Sequence, residues 1–111
     1  MALIQRGRTP NQVVVDGTLL DAQAGTTNGV WQNIERILPF SITVRGTFSA
    51  TVTLYVSNQT TRPLDSDNAQ AVLQAFTSPG STYQLASFRW IKAAVSGFVS
   101  GAVTVDLMGG A

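Results

Sequence analysis

One pattern occurs twice in this chain, as Val44-Arg45-Gly46-Thr47-Phe48-Ser49-Ala50-Thr51-Val52-Thr53-Leu54-Tyr55-Val56 and, 51 residues further on, as Val95-Ser96-Gly97-Phe98-Val99-Ser100-Gly101-Ala102-Val103-Thr104-Val105-Asp106-Leu107. The two repeats align without a gap and are identical at five of thirteen positions. In each, a strand ends at a glycine and a second strand leaves with apolar residues at every other position, which is typical of a β-hairpin. We therefore expect two related hairpins that turn at Gly46 and Gly97.

The alternation around these turns predicts which side chains face a core. Phe40, Ile42 and Val44 share one face of the strand that enters the first turn. Six aliphatic side chains point inward from the two strands that leave the turns, namely Val52, Leu54, Val56, Val103, Val105 and Leu107. The second hairpin is expected to pair residues 88–96 with residues 102–108.

The N-terminal region is predicted in two parts. Residues 1–12 contain Gly7, Pro10 and two arginines with little periodicity, which indicates an extended arm, and residues 13–111 are expected to form one domain. Within that domain Val13-Val14-Val15 predicts a strand, Asp16-Gly17 a turn and residues 18–20 a short returning strand.

Two further segments fit a helix or a strand. Residues 30–38 have helical spacing, but Trp31, the β-branched residues and the following Pro39 favour an edge strand. Residues 69–76 also read as a capped helix or a strand, and the Pro79-Gly80 turn that follows favours the strand. Short strands joined by turn-rich loops predict an all-β fold, an antiparallel, jelly-roll-like β-sandwich.

Composition limits the function classes. A chain of 111 residues fits one domain, and its net charge of +1 is too small for a nucleic-acid footprint even with Arg6 and Arg8 close together. The chain has no run of 18 or more apolar residues, as a membrane-spanning helix would need, and no Cys that could form a disulfide. Charged residues make up 12% of the chain, against about 25% in typical soluble domains. A surface so poor in charge is often covered by a partner, although a Ser/Thr-rich solvated β-domain has the same composition.

The residues available for chemistry argue against an enzyme. The chain contains no His and no Cys, so the commonest general base, the thiolate nucleophile and the usual zinc ligands are missing. Its six acidic residues lie mostly in predicted turns. Asp65-Ser66-Asp67-Asn68 has some likeness to a calcium loop but lacks the glycine and terminal glutamate of an EF-hand, which favours a solvated turn. We expect no cofactor and no metal.

Four aromatic residues allow two interpretations. Trp31, Tyr55, Tyr83 and Trp90 are suited to stacking on a sugar, but packing in the core or at an interface is the favoured role. Arg45 is expected to form a cross-strand or intersubunit ion pair. The candidate partner-contacting residues are Arg6, Arg8, Trp31, Arg45, Tyr55, Arg62 and Trp90.

The stretch from Phe40 to Asn58, the Pro79-Gly80 turn and the runs Phe88–Val95 and Ser100–Leu107 resemble the small β-sandwich structural proteins of tailed bacteriophages, of the head decoration (cement) or head-fibre type. The resemblance covers about residues 30 to 108. It implies a virion protein, made in the host cytoplasm, that binds the major capsid protein on the capsid surface and stabilises the shell. It also implies a homo-oligomer, with a trimer favoured. The alternatives are a carbohydrate-binding module of a tail fibre or spike and a tail or neck connector subunit.

Overall fold

The computed structural model describes residues 4–9 and 12–110, and side chains within residues 16–110. The described residues form nine strands and no helix. The strands are β1 (Ile4–Thr9), β2 (Gln12–Gln23), β3 (Gln32–Asn33), β4 (Phe40–Arg45), β5 (Phe48–Ser57), β6 (Ala71–Phe76), β7 (Gly80–Gln84), β8 (Trp90–Gly101) and β9 (Val103–Gly110).

The strands form two antiparallel sheets that pack face to face. The five-stranded sheet has the order β1-β2-β9-β4-β7 and the four-stranded sheet has the order β3-β8-β5-β6. From β2 to β9 every connection except β5–β6 passes from one sheet to the other. Repeated crossing of this kind winds eight strands into a jelly roll. The predicted all-β, jelly-roll-like sandwich is therefore confirmed.

The repeated pattern builds this sandwich, but its two occurrences are not hairpins. The first repeat runs from β4 in the five-stranded sheet to β5 in the four-stranded sheet, and the second runs from β8 back to β9. The repeats pair with each other, because β4 lies beside β9 and β5 lies beside β8. The predicted pairing of residues 88–96 with residues 102–108 is wrong for the same reason.

The two sheet crossings lie side by side and depend on glycine. Gly46 has φ 118° and Gly101 has φ 95°, both in the region that favours glycine. A Cβ atom on Gly101 would overlap the carbonyl of Thr47, and one on Gly46 would overlap that of Ala102. The Ala102 amide also donates a hydrogen bond to the Thr47 carbonyl, at 3.0 Å. The turn predicted at Gly46 is present, but Gly97 lies within β8, where the register with β5 shifts, and the second crossing is at Gly101.

The predicted core faces are confirmed. All six aliphatic side chains of the two leaving strands are buried, as are Phe40, Ile42 and Val44 from β4. The core also takes in Phe88, whose ring meets that of Phe40 edge-on with the ring centroids 6.4 Å apart. Period-two alternation therefore identified the inward face correctly even where the strand partners were wrong.

Local turn signals near the N-terminus were misleading. Asp16-Gly17 is not a turn, because β2 runs through it without a break and pairs Asp16 with Met108 and Gly17 with Leu107. A full antiparallel ladder with β9 satisfies more backbone groups than a two-residue turn would. Of the predicted strand at residues 30–38, only β3 is formed, whereas the strand expected at residues 69–76 is present as β6.

The predicted N-terminal arm contains a strand. β1 pairs antiparallel with the first residues of β2, from Ile4 opposite Asp16 to Thr9 opposite Gln12. This pairing spans the expected boundary between the arm and the domain at residue 12. Residues 1–3, 10, 11 and 111, and the side chains of Arg6 and Arg8, lie outside the part of the chain that the structure describes.

Candidate functional site

The outer face of the four-stranded sheet carries a buried lysine between two aromatic rings. Lys92 lies on β8 directly opposite Tyr55 of β5, and Trp31 immediately precedes β3 on the other side of β8. Because side chains alternate along β8, Ile91 and Ala93 point into the core and Lys92 points outward. Even so, Lys92 is 0% exposed. Something other than the sheet must therefore cover it.

The cover is supplied by the chain itself. Lys92 Nζ donates hydrogen bonds to the carbonyl of Asp65, at 2.6 Å, and to Asn68 Oδ1, at 2.5 Å. It also lies 5.2 Å from the ring centroids of both Trp31 and Tyr55, within the range of cation–π attraction. Burial lowers the pKa of Lys92, because it disfavours the charged ammonium, while the nearby carboxylates of Asp65 and Asp67 oppose this shift.

Both tryptophans help to hold the same loop, residues 58–70 between β5 and β6. Trp31 Nε1 donates to the carbonyl of Leu64, at 2.9 Å, and Trp90 Nε1 donates to that of Gln59, at 3.0 Å. The backbone amide of Trp31 donates to Asp65 Oδ1, at 3.2 Å. The 58–70 loop is thus fastened over the outer face of the sheet by groups that the sheet itself presents.

The acidic residues of this loop serve its own structure. Asp65 Oδ1 also accepts from Arg62 Nη2, at 2.8 Å. Asp67 accepts from Gln70 Nε2, at 2.8 Å, and from the Ala69 amide, at 2.9 Å, and these bonds lower the pKa of Asp67. Among the described residues no group of three or more His, Cys, Asp or Glu side chains is placed to hold a metal ion. The bonds to these oxygens fit the solvated-turn interpretation of residues 65–68.

Four of the predicted partner-contacting residues come together here. Trp31, Tyr55, Arg62 and Trp90 all lie on or beside the 58–70 loop, and Trp31 is only 2% exposed. Arg45 lies on the other sheet, where its Nε contacts Asp106 Oδ2 at 2.6 Å, a cross-strand ion pair between β4 and β9. Lys92 was missed in the sequence analysis, and its one signal is a charged residue inside the apolar run of β8.

A different surface carries exposed apolar side chains. β6 and β7 are the edge strands of the two sheets, and only residues 77–79 separate them, so both lie on the same side of the sandwich. We call this surface the β6–β7 side. It exposes Val72, Tyr83 and Leu85, at 58%, 63% and 71% respectively. No charged residue occurs between Asn68 and Phe88.

Two concave features complete the surface. An apolar groove of about 300 Å³ next to the β6–β7 side is lined by Pro39, Phe40, Ser41, Tyr83, Met108, Gly109 and Gly110. A polar cleft of about 310 Å³ is lined by Glu35, Asn58, Ser87, Phe88 and Arg89. In this cleft Arg89 Nη1 and Glu35 Oε2 form an ion pair at 3.3 Å.

No protein-family model, curated protein sequence or solved structure matches the chain at a significant level. The part of the chain that the structure describes contains no helix long and apolar enough to cross a membrane.

Proposed function

We propose that this protein is a non-enzymatic structural component of a tailed-phage virion, a decoration or cement protein that binds the outer surface of the capsid. The observation that carries the proposal is a jelly roll whose uncharged β6–β7 side exposes the large apolar side chains Val72, Tyr83 and Leu85. Jelly rolls recur in viral capsid and lectin domains. Exposed apolar residues grouped on one side are typical of protein-binding surfaces. The absence of His and Cys and the sequence resemblance support the same assignment.

The mechanism is one of binding alone. Each copy contacts more than one subunit of the major capsid protein, so the assembled shell gains the contact free energy and the disassembled or leaking shell does not. Linking several copies in a homo-oligomer, with a trimer favoured by the resemblance, multiplies this effect because the second and third contacts become intramolecular. No nucleic acid, membrane or cofactor takes part.

The test uses capsids from which the protein has been stripped. Adding back the purified chain is expected to raise the temperature at which these capsids release their genome and to reduce their loss on osmotic shock. Cosedimentation with the capsids measures binding directly. A chain that neither cosediments with stripped capsids nor changes their stability contradicts the proposal. If it assembles into rings in electron micrographs instead, the connector role takes its place.

The polar cleft favours one second candidate, the carbohydrate-binding module. Glu35, Asn58 and Arg89 present carboxylate, amide and guanidinium groups beside the ring of Phe88, a combination suited to sugar hydroxyls. Against this candidate, Trp31 is buried and the indole N–H of Trp90 is already bonded to the Gln59 carbonyl. A glycan array tests the cleft, and binding that is lost in Arg89→Ala but kept in Arg45→Ala would favour it.

A further inference from the structure

The β6–β7 side leaves two strand edges open. Within residues 4–9 and 12–110, no strand pairs with the outer edge of β6 or of β7. An unpaired edge presents backbone N–H and C=O groups to which another strand can bond. Natural sheets protect such edges with charged side chains, prolines or bulges.

Only β6 has one of these protections. Its register with β5 shifts between Gln74 and Val72, which indicates a bulge at Leu73. β7 pairs with β4 in unbroken register over all five residues, and the strand contains neither a proline nor a charge. β7 is therefore an uncharged edge without a bulge, to which another strand can pair.

We propose that the occupant of this edge is the β7 strand of a second copy of the chain, paired antiparallel about a twofold axis. The same uncharged edge on both copies is self-complementary, as a twofold contact requires. No charge on either edge has to be desolvated, which would oppose pairing. A charged partner segment would gain no ion pair along residues 68–88, because that stretch contains no charged residue.

Side chains beside the strand add to the contact. Tyr83 borders the apolar groove that continues over Met108, and Leu85 follows directly after β7. Pairing would bury both residues in addition to completing the backbone ladder. A twofold contact gives dimers by itself, and it would join trimers in pairs if the chain also forms the trimer that the resemblance favours. The inference concerns self-association through β7 only and does not depend on capsid binding, and it leaves Val72 on β6 exposed for a capsid contact.

The experiment uses the purified full chain in the absence of capsids. Sedimentation equilibrium over a range of concentrations is expected to show an even number of copies. Tyr83→Lys places like charges at the twofold contact and should weaken association by about tenfold or more. Val99→Lys is the matched control, because Val99 is 76% exposed and lies on β8, which belongs to the other sheet and does not pair with β7. It should leave association unchanged.

A cysteine pair gives an independent readout, because the chain has no Cys of its own. In an antiparallel twofold pair only the residue on the axis faces its own copy, so cysteine is introduced singly at Ser81, Thr82 and Tyr83. At least one of these variants should form a disulfide-linked dimer under mild oxidation, since directly opposite residues have their Cβ atoms close together. Val99→Cys should not. A monomer at all concentrations overturns the proposal and leaves the edge to a partner's strand. So does an oligomer that is unaffected by Tyr83→Lys and not cross-linked through β7.

Discussion

Replacing Lys92 with methionine tests whether this side chain holds the 58–70 loop in place. Methionine keeps much of the length of lysine but has no ammonium group. The substitution removes the hydrogen bonds to the Asp65 carbonyl and to Asn68 Oδ1, and the contacts with two aromatic rings. It also leaves the Asp65 carbonyl and Asn68 Oδ1 without this donor.

The magnitude follows from these contacts. Two hydrogen bonds from a charged donor contribute about 1.5–3 kcal/mol each, and two ring contacts add about 0.5–1 kcal/mol each. Desolvation of the ammonium offsets several kcal/mol of that sum. The expected net loss in the free energy of unfolding for Lys92→Met is therefore about 2–4 kcal/mol. Because the lost bonds are to Asp65 and Asn68, the loop should loosen more than the sheets.

Urea unfolding measures the global loss, and amide hydrogen exchange across residues 58–70 measures the loosening. Arg36→Met is the control, since it removes a positive charge from an exposed residue and should change stability by less than about 0.5 kcal/mol. Faster exchange in the loop of Lys92→Met, with the strands of the core little changed, is the expected pattern. Equal urea midpoints and unchanged loop exchange would refute the reasoning.

The pH dependence of stability tests the lowered pKa of Lys92, because it predicts the direction in which stability changes with pH. Since burial lowers the pKa of Lys92, the folded state binds fewer protons than the unfolded state in the window below 10.5. The wild type should therefore gain stability relative to Lys92→Met as pH rises through this window. The comparison is made in a Tyr55→Phe background, which keeps the ring beside Lys92 but removes its hydroxyl. If the stability of the wild type relative to Lys92→Met falls as pH rises, the lowered pKa of Lys92 is contradicted.

Two other predictions concern the sheet crossing and the acidic turn. Gly101→Ala should lower the free energy of unfolding in urea by more than about 4 kcal/mol, because its Cβ would overlap the backbone of the neighbouring crossing. Gly97→Ala should lower it by about 1–2 kcal/mol, because only its positive φ is strained. Equal losses in the two variants would contradict this reasoning. In an NMR titration Asp67 should show a pKa below its ordinary value of 3.8. The stability it contributes is lost as pH falls through that lowered pKa. Gln70→Ala removes the hydrogen bond from Gln70 and should raise the pKa of Asp67.

The inward faces could be predicted from the sequence, but the strand partners could not. Whether Val52 or Val103 is buried depends on alternation along one strand, which the sequence displays directly. Whether β4 turns back onto itself or crosses to the other sheet depends on contacts with a distant strand. A glycine between two alternating runs allows both outcomes. The crossing is decided by the close approach of Gly46 and Gly101 to each other's backbone, which no local pattern reveals.

Two other features that the sequence did not reveal, the continuous strand through Asp16-Gly17 and the burial of Lys92, have a similar cause. Asp16-Gly17 has strong turn chemistry, yet the ladder with β9 overrides it. Lys92 was not singled out from the sequence, because its covering loop lies more than twenty residues away along the chain. Trp31 is buried, and the indole N–H groups of both tryptophans donate to backbone carbonyls of the 58–70 loop, which no local pattern indicates. For both Asp16-Gly17 and Lys92 the deciding contact is distant in sequence.

The structure redirects the search for a partner surface. The chain covers the outer face of its four-stranded sheet with the 58–70 loop, and Trp31, Trp90 and Lys92 hold that loop in place. Groups already bonded within the chain have little left to offer a partner. On the β6–β7 side the strand edges stay open, the exposed side chains are uncharged, and they include Val72, Tyr83 and Leu85. An edge of this kind left bare would invite uncontrolled association, so pairing with a defined partner also protects the fold. The mutations that should abolish assembly while sparing the fold therefore belong in β7, and those that should damage the fold before assembly belong in the loop over Lys92.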